Sequence, residues 1–220
     1  MSEATKAIDS APETTGKTIR SWARFYDWLD LLTFGSQKKL LRSVVRAAAP
    51  EAGEAVLDVG CGTGTLALLL AEAVGADGRV EGIDASPEMI AEARKKIAKN
   101  KARANVQVAL IEDIPFADGE FDVATSTYVF HHLPDDLRRS GLAEIRRVLK
   151  PGGRLLIMDF AGGSHSVVGH LMSMFGHAHG NYTHELISMM KDAGFSGVNR
   201  LKSKKHKTAA FISGVAGETK

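Results

Sequence analysis

The sequence predicts an α/β fold built on a parallel sheet, and three observations carry that prediction. The apolar run 56–59 ends in Gly60, Gly62 and Gly64, and a helical pattern follows at once. A second apolar run closes on a carboxylate, Gly82-Ile-Asp84. Strand-like and helix-like runs then alternate along the chain, as βαβ units do. At the carboxyl ends of two neighbouring parallel strands such a sheet leaves a nucleotide-shaped crevice. Bare glycine backbone lets a ligand lie close. Asp84, ending the second strand, can accept hydrogen bonds from both hydroxyls of a ribose. The spacing is G-x-G-x-G, not the G-x-G-x-x-G that closes on a dinucleotide pyrophosphate. An adenosine-bearing ligand fits this pattern.

The elements follow in order. Ala55–Val59 is the first strand, and 65–73 the helix whose N-terminus faces the ligand. Residues 78–83 form the second strand. Ser86 then caps a helix with Pro87 at its first position. Runs 106–110 and 121–126 are strands three and four. Leu142, Ile145, Val148 and Leu149 give 137–149 an amphipathic helical spacing. Lys150-Pro-Gly-Gly153 stops that helix, and 154–160 is strand five. A helix over 182–193 ends at Gly194, where a left-handed cap is favoured. Strands at 196–201 and 208–214 flank the polar turn 203–207. Ahead of the core, Trp22, Phe25, Tyr26, Leu29 and Leu32 recur at helical spacing. Residues 1–18 are polar and predict a mobile tail; residues 19–220 form one domain, divided into a helical segment 19–50 and a core 54–215.

Composition narrows the class. Apolar residues at 44% and charged residues at 25% are those of an ordinary soluble globule. A net charge of +2 carries no signature of a nucleic-acid partner. Cys61 is the single cysteine, so no intramolecular disulfide forms and secretion has no support. It lies inside the glycine turn, where a small filler is needed and no base stands nearby to activate a thiol. No apolar run reaches the roughly 18 residues of a membrane span, and the start lacks a signal-peptide core. A cytoplasmic location is expected.

With Asp58 before the glycines, the stretch 58–65 resembles the first motif of class I S-adenosylmethionine-dependent methyltransferases. Glu112-Asp-Ile-Pro-Phe116 with Phe121-Asp122, then Phe130-His-His-Leu-Pro-Asp135, are similar to segments of their type 11 group. Arg146-Arg-Val-Leu-Lys-Pro-Gly-Gly-Arg-Leu155 is similar to that group's approach to strand five. Tyr26-Asp27 and Thr33-Phe-Gly35 resemble the entry of the quinone C-methyltransferases of ubiquinone and menaquinone synthesis. The resemblance runs from about residue 26 to 214. It implies a Rossmann-like three-layer sandwich with a seven-stranded sheet of order 3-2-1-4-5-7-6. It also implies an N-terminal helical lid over the cleft, within 19–50. The implied cofactor is S-adenosylmethionine, leaving S-adenosylhomocysteine as product.

The same resemblance supplies a set of cofactor-binding residues. Asp58 stands near the methionine end, and Gly60, Gly62 and Gly64 line the loop. Asp84 binds ribose, Met89 lies against adenine, and Tyr26 bonds the methionine carboxylate. Ala85 and Thr127 complete the set. Leu110, Ile111 and Glu112 fall where the family reads the adenine edge, but Leu110 replaces its usual aspartate. Either backbone groups of Leu110 and Ile111 or the Glu112 side chain then serve.

Several residues have a second reading. Asp58 can satisfy amides of the glycine turn. Asp84 can cap the next helix, though Ser86 and Pro87 already do so. His131, the catalytic candidate, and His132 lie past strand four. They supply a near-neutral base or simply pack against the cofactor; the second is simpler, because methyl transfer often needs no strong base. No metal site is expected from this adjacent pair.

The segment 162–181 holds His165, His170, His177 and His179 beside Leu171, Met172, Met174 and Phe175, and falls over the acceptor pocket. Its Met and Phe suit an adaptable apolar wall. Lys202, Lys204, Lys205 and Lys207 make a solvated hairpin tip or a peripheral contact with an anionic membrane. The expected partner is a small apolar acceptor, quinone-precursor-like or lipid-like, and not nucleic acid. Two competitors stand beside this reading: a non-catalytic S-adenosylmethionine-binding protein and a nicotinamide-dependent oxidoreductase. The glycine spacing and the absence of a Tyr-x-x-x-Lys pair count against the second.

Overall fold

A computed structural model of the chain describes residues 36–161, 182–202 and 208–217. One sheet carries seven strands: β1 (Ala55–Val59), β2 (Arg79–Asp84), β3 (Ala104–Val108), β4 (Phe121–Thr127), β5 (Leu149–Phe160), β6 (Phe195–Leu201) and β7 (Ala209–Ala216). Their order is β3-β2-β1-β4-β5-β7-β6, as expected. β1 to β5 run parallel, and β7 pairs antiparallel with both β5 and β6.

Helices cover both faces, so the central strands read as apolar runs. Leu57 and Val59 of β1 face one core, with Leu142 and Ile145 of α4 (Asp135–Val148) and Leu186 and Met190 of α5 (Tyr182–Asp192). Val56 faces the other, with residues of α1 (Ser36–Ala48), α2 (Thr65–Val74) and α3 (Pro87–Asn100). The split follows the two-residue period of a strand.

The segment 36–48, the described part of the expected lid 19–50, is the helix α1. Leu41, Val44 and Ala48 recur on one face of α1 and are buried beside Leu66, Leu70 and Met158. That apolar stripe draws α1 into the sandwich layer, packed on α2 and β5. Residues 1–35, including Trp22, Phe25 and Tyr26, lie outside the described residues.

Two boundaries also shift. β3 starts at Ala104 and leaves the ladder after Val108, because a bridge between Leu110 and Asp113 turns the chain. Lys150-Pro-Gly-Gly153, expected as a break, falls inside β5 as a bulge: Phe121 pairs with Leu149, yet Val123 pairs with Arg154. Asp122 anchors that end of the sheet. It accepts from the Ala55 N–H at 3.0 Å and from Lys150 Nζ at 2.7 Å. Gly194 has φ +90°, in the expected left-handed cap. Among the described residues no helix is long and apolar enough to cross a membrane.

Candidate active site

The glycine turn joins β1 to α2 at the carboxyl edge of the sheet. Gly60, Gly62 and Gly64 have φ of +72°, +53° and +76°, a region that L side chains rarely adopt. Their surroundings differ. A Cβ on Gly60 would collide with Val129 Cγ2, and one on Gly64 would stand 3.0 Å from the Cβ of Ala93. Only at Gly62 would an added Cβ meet no atom within 4 Å. Of the three, only Gly62 leaves open space where a ligand could approach; Gly60 and Gly64 are glycine for backbone conformation and packing.

Four of the turn's amides find partners other than Asp58. The N–H groups of Gly60 and Cys61 donate to Ile83 O at 2.8 and 2.9 Å, and that of Gly64 to Cys61 O at 3.0 Å. Gly62 N–H donates to Asp84 Oδ2 at 2.9 Å. Lys96 of α3 donates to the hydroxyls of Thr63 and Thr65, each at 2.9 Å, and ties the turn to its neighbour. Cys61 is buried beside Gly82, and burial pushes its thiol well above the usual range. It is a filler, as expected.

Asp84 ends β2 beside this turn. Its Oδ1 accepts from Ser86 N–H at 2.9 Å, so each oxygen holds one backbone donor. A carboxylate has about four acceptor sites, which leaves room for two more donors. Burial raises its carboxyl above the ordinary range, opposed by those two amides. Ser86 caps α3 through Met89 N–H, with Pro87 at the start. Ala85 is half-buried between the two. Met89 is buried, yet it belongs to neither apolar core among the described residues. That frees it to face a ligand.

The loop after β3 carries Leu110, Ile111 and Glu112. Ile111 points into the core against Gly141 of α4, so only its backbone can read a ligand. Leu110 and Glu112 are half-buried at the rim. Arg147 clamps the loop from α4, donating to Ile114 O and Phe116 O, each at 2.8 Å, and to Glu144 and Asp118. Glu144 in turn accepts from Ile114 N–H at 3.0 Å. The motifs at 112–116 and 146–155 are thus two halves of one clamp.

Asp58 is fully buried in β1 and accepts one hydrogen bond, from Thr125 Oγ1 at 3.0 Å. Among the described residues its Oδ2 has no partner. Burial pushes the carboxyl up to about 7; the Thr125 bond opposes this, and the nearby charge of Asp84 adds to it. A buried acceptor without a donor is costly, so a cation or donor from a ligand is the natural complement.

Across from the glycines, Thr127 ends β4 and a short 3₁₀ turn, Phe130–His132, follows. His131 is buried, and its Nδ1 lies 2.7 Å from Asp159 Oδ1. Asp159 Oδ2 also accepts from the Tyr182 hydroxyl at 2.9 Å. Burial, then the charge of Asp159, raises the Tyr182 phenol and pushes that of Tyr128 up to about 12, so both stay protonated. His131 is thus hydrogen-bonded as well as packed. Its partner Asp159, and Tyr182 behind that carboxylate, lay 28 and 51 positions away in sequence, and nothing local marked them. Tyr26, the histidines and Met172–Phe175 of 162–181, and the lysine turn 203–207 lie outside the described residues. Among the described residues no three His, Cys, Asp or Glu side chains form a metal-binding group.

Comparison with known proteins completes the picture. A family described as a methyltransferase domain matches residues 56–153. The chain is 40% identical over 139 residues to the ubiquinone/menaquinone biosynthesis C-methyltransferase of Geotalea daltonii, covering 62% of this chain and 58% of that protein. It is 36% identical over 157 residues to the 2-phytyl-1,4-naphtoquinone methyltransferase of Synechococcus elongatus, covering 68% and 64%. The chain thus spans about three fifths of the length of these curated relatives. Its fold matches that of a SAM-dependent methyltransferase from Aquifex aeolicus, with a TM-score of 0.67 at 24% identity over 80% of this chain and 89% of that one.

Proposed function

The chain belongs to the class I S-adenosylmethionine-dependent methyltransferases, and on that premise we propose that it methylates a small apolar acceptor of the quinone-precursor kind. S-adenosylhomocysteine is the co-product. One observation carries the reading: the open backbone at Gly62 bonds the half-buried Asp84 carboxylate, and the buried Asp58 carboxylate keeps an oxygen without a partner among the described residues. Those residues fit S-adenosylmethionine. Asp84 takes the ribose hydroxyls, Met89 lies against the adenine, and Asp58 Oδ2 faces the cationic methionine end.

The cofactor supplies a methyl group already activated on a sulfonium. The chain's own work is to hold a nucleophile in line with it. The His131 turn forms the wall on the acceptor side, braced by Val129 against Gly60. The names of the quinone-methylating relatives and the entry motif at 26–35 support an apolar, quinone-type acceptor. A panel of hydroquinones, phenols, amines, lipids, peptides and RNA, screened for S-adenosylhomocysteine release, tests this. Turnover is expected with apolar hydroquinones or phenols; turnover confined to peptides or RNA rejects the acceptor class.

Asp58 gives a pH dependence of definite sign. Its folded-state carboxyl, at about 7, lies above the ordinary 3.8. The protonated form is therefore the one that folding favours. Its contribution is complete below pH 3.8 and is lost as pH rises through about 7, on the order of 4 kcal/mol in all. Asp58→Asn should flatten the pH dependence of the ligand-free protein's melting temperature between pH 5 and 8. A cation against Oδ2 favours the ionised form, so S-adenosylmethionine affinity should rise from pH 6 to 8 with proton release. Calorimetry in buffers of different ionisation enthalpy reads both. A flat affinity, or an unaltered slope in Asp58→Asn, contradicts the assignment.

A further inference from the structure

Asp159, next to the last residue of β5, has its side chain sealed from solvent and surrounded by donors. Oδ1 lies 2.7 Å from His131 Nδ1 and accepts from Phe160 N–H at 2.8 Å. Oδ2 accepts from the Tyr182 hydroxyl at 2.9 Å and from His131 N–H at 3.1 Å. Each oxygen has two partners, the full complement of a carboxylate. A proton on His131 Nδ1 would complete that set, because a carboxylate acceptor calls for a donor. The neutral ring then keeps its lone pair on Nε2.

The rest of the surroundings fixes the ring. Phe160 and Tyr128 meet it edge-on, at centroid distances of 4.7 and 6.3 Å, and His132 lies 3.8 Å away. Among the described residues Nε2 has no hydrogen-bond partner. The guanidinium of Arg138 sits 5.0 Å from the Tyr182 ring centre, donates to Phe130 O and pairs with Asp135 at 2.9 Å, which fixes the Tyr182 ring from its far side. Packing alone would not require a buried, fourfold-satisfied anion behind a histidine. Holding one ring tautomer, and stabilising the imidazolium that forms when Nε2 gains a proton, does require it.

We infer that Asp159, with Tyr182 behind it, is a positioning residue that holds His131 as the Nδ1–H tautomer, so that Nε2 takes the proton from a hydroxyl-bearing aromatic acceptor. This rests on the methyltransferase reading and narrows its acceptor to one that is activated by losing a proton. The acceptor's O–H bond breaks and the proton passes to Nε2. The phenolate's electron pair moves through the ring to the carbon that forms the new C–CH₃ bond, and sulfur keeps the pair of the broken S–CH₃ bond. The methylated carbon's C–H proton is then shed and the ring oxygen regains one. The net yield is a single proton, which His131 passes to solvent.

Nitrogen-15 NMR on histidine-labelled wild type reads the tautomer with no acceptor present. A neutral His131 protonated on Nδ1 is expected; protonation on Nε2 overturns the proposal. In Asp159→Asn the amide NH₂ can face Nδ1, so the neutral ring should shift to the Nε2–H form. Its kcat for 2-prenyl-1,4-naphthohydroquinone should fall at least about 100-fold, with an unchanged Kd for S-adenosylmethionine. Tyr182→Phe keeps the other three donors and should lower kcat roughly tenfold at unchanged KM. Wild-type kcat in both variants, with both folded, also overturns it. A wild type that binds S-adenosylmethionine and shows the Nδ1–H tautomer, yet never methylates the hydroquinone, rejects the acceptor class while upholding the positioning of His131.

Discussion

Replacing Gly62 by valine is expected to abolish S-adenosylmethionine binding in a protein that still folds. The position has φ +53°, so a side chain there costs about 1–2 kcal/mol of backbone strain. An added Cβ meets no protein atom within 4 Å, so no steric clash adds to that cost. The valine methyls instead fill the space against which the ligand lies. The affinity loss should far exceed the loss in stability, with Gly62→Ala falling between. Gly60→Ala is the contrasting control: Val129 is in the way, so the fold itself should suffer. Calorimetry beside thermal melts separates the two effects. Wild-type affinity in folded Gly62→Val would mean that the ligand lies elsewhere.

Asp84→Ala is expected to weaken S-adenosylmethionine binding by roughly 2–3 kcal/mol, the size of losing charge-assisted hydrogen bonds to two ribose hydroxyls. The same carboxylate holds Gly62 N–H and Ser86 N–H, so the variant also strands two turn donors. Its melting temperature should fall as well. Asp84→Asn retains an amide oxygen for the turn and should recover part of the stability but less of the affinity. Restoring an acceptor on the adenine side with Leu110→Asp should leave affinity equal or improved, since Leu110 is only half-buried. An Asp84→Ala protein that is folded and binds like wild type rules out the ribose contact.

Much of the sheet was legible because its strands announce themselves. β1 and β2 are short apolar runs closed by glycines and a carboxylate, and the cap at Ser86 and Pro87 marks α3 without tertiary help. The strand order came from resemblance; local pattern does not encode which strands pair. The 36–48 segment shows the limit. Its apolar stripe predicts a helix, but whether that helix covers the cleft or the sheet depends on partners distant in sequence. Asp58 and Asp84 both stand out in the sequence, yet the turn amide expected of Asp58 is held by Asp84. Adjacency to the turn suggested Asp58 for its amides, whereas β2 sets the Asp84 carboxylate against Gly62. Asp159 and Tyr182 gave no signal at all. A lone aspartate ending an apolar strand acquires meaning only when the turn after β4 brings His131 to it.

Titration calorimetry of the purified chain with S-adenosylmethionine, S-adenosylhomocysteine and NAD tests the central claim most directly. Heat and saturation are expected with the first two ligands and none with NAD. Binding of NAD alone would contradict the account, because an open Gly62 beside Asp84 would then serve a dinucleotide that the G-x-G-x-G turn is not spaced to close upon.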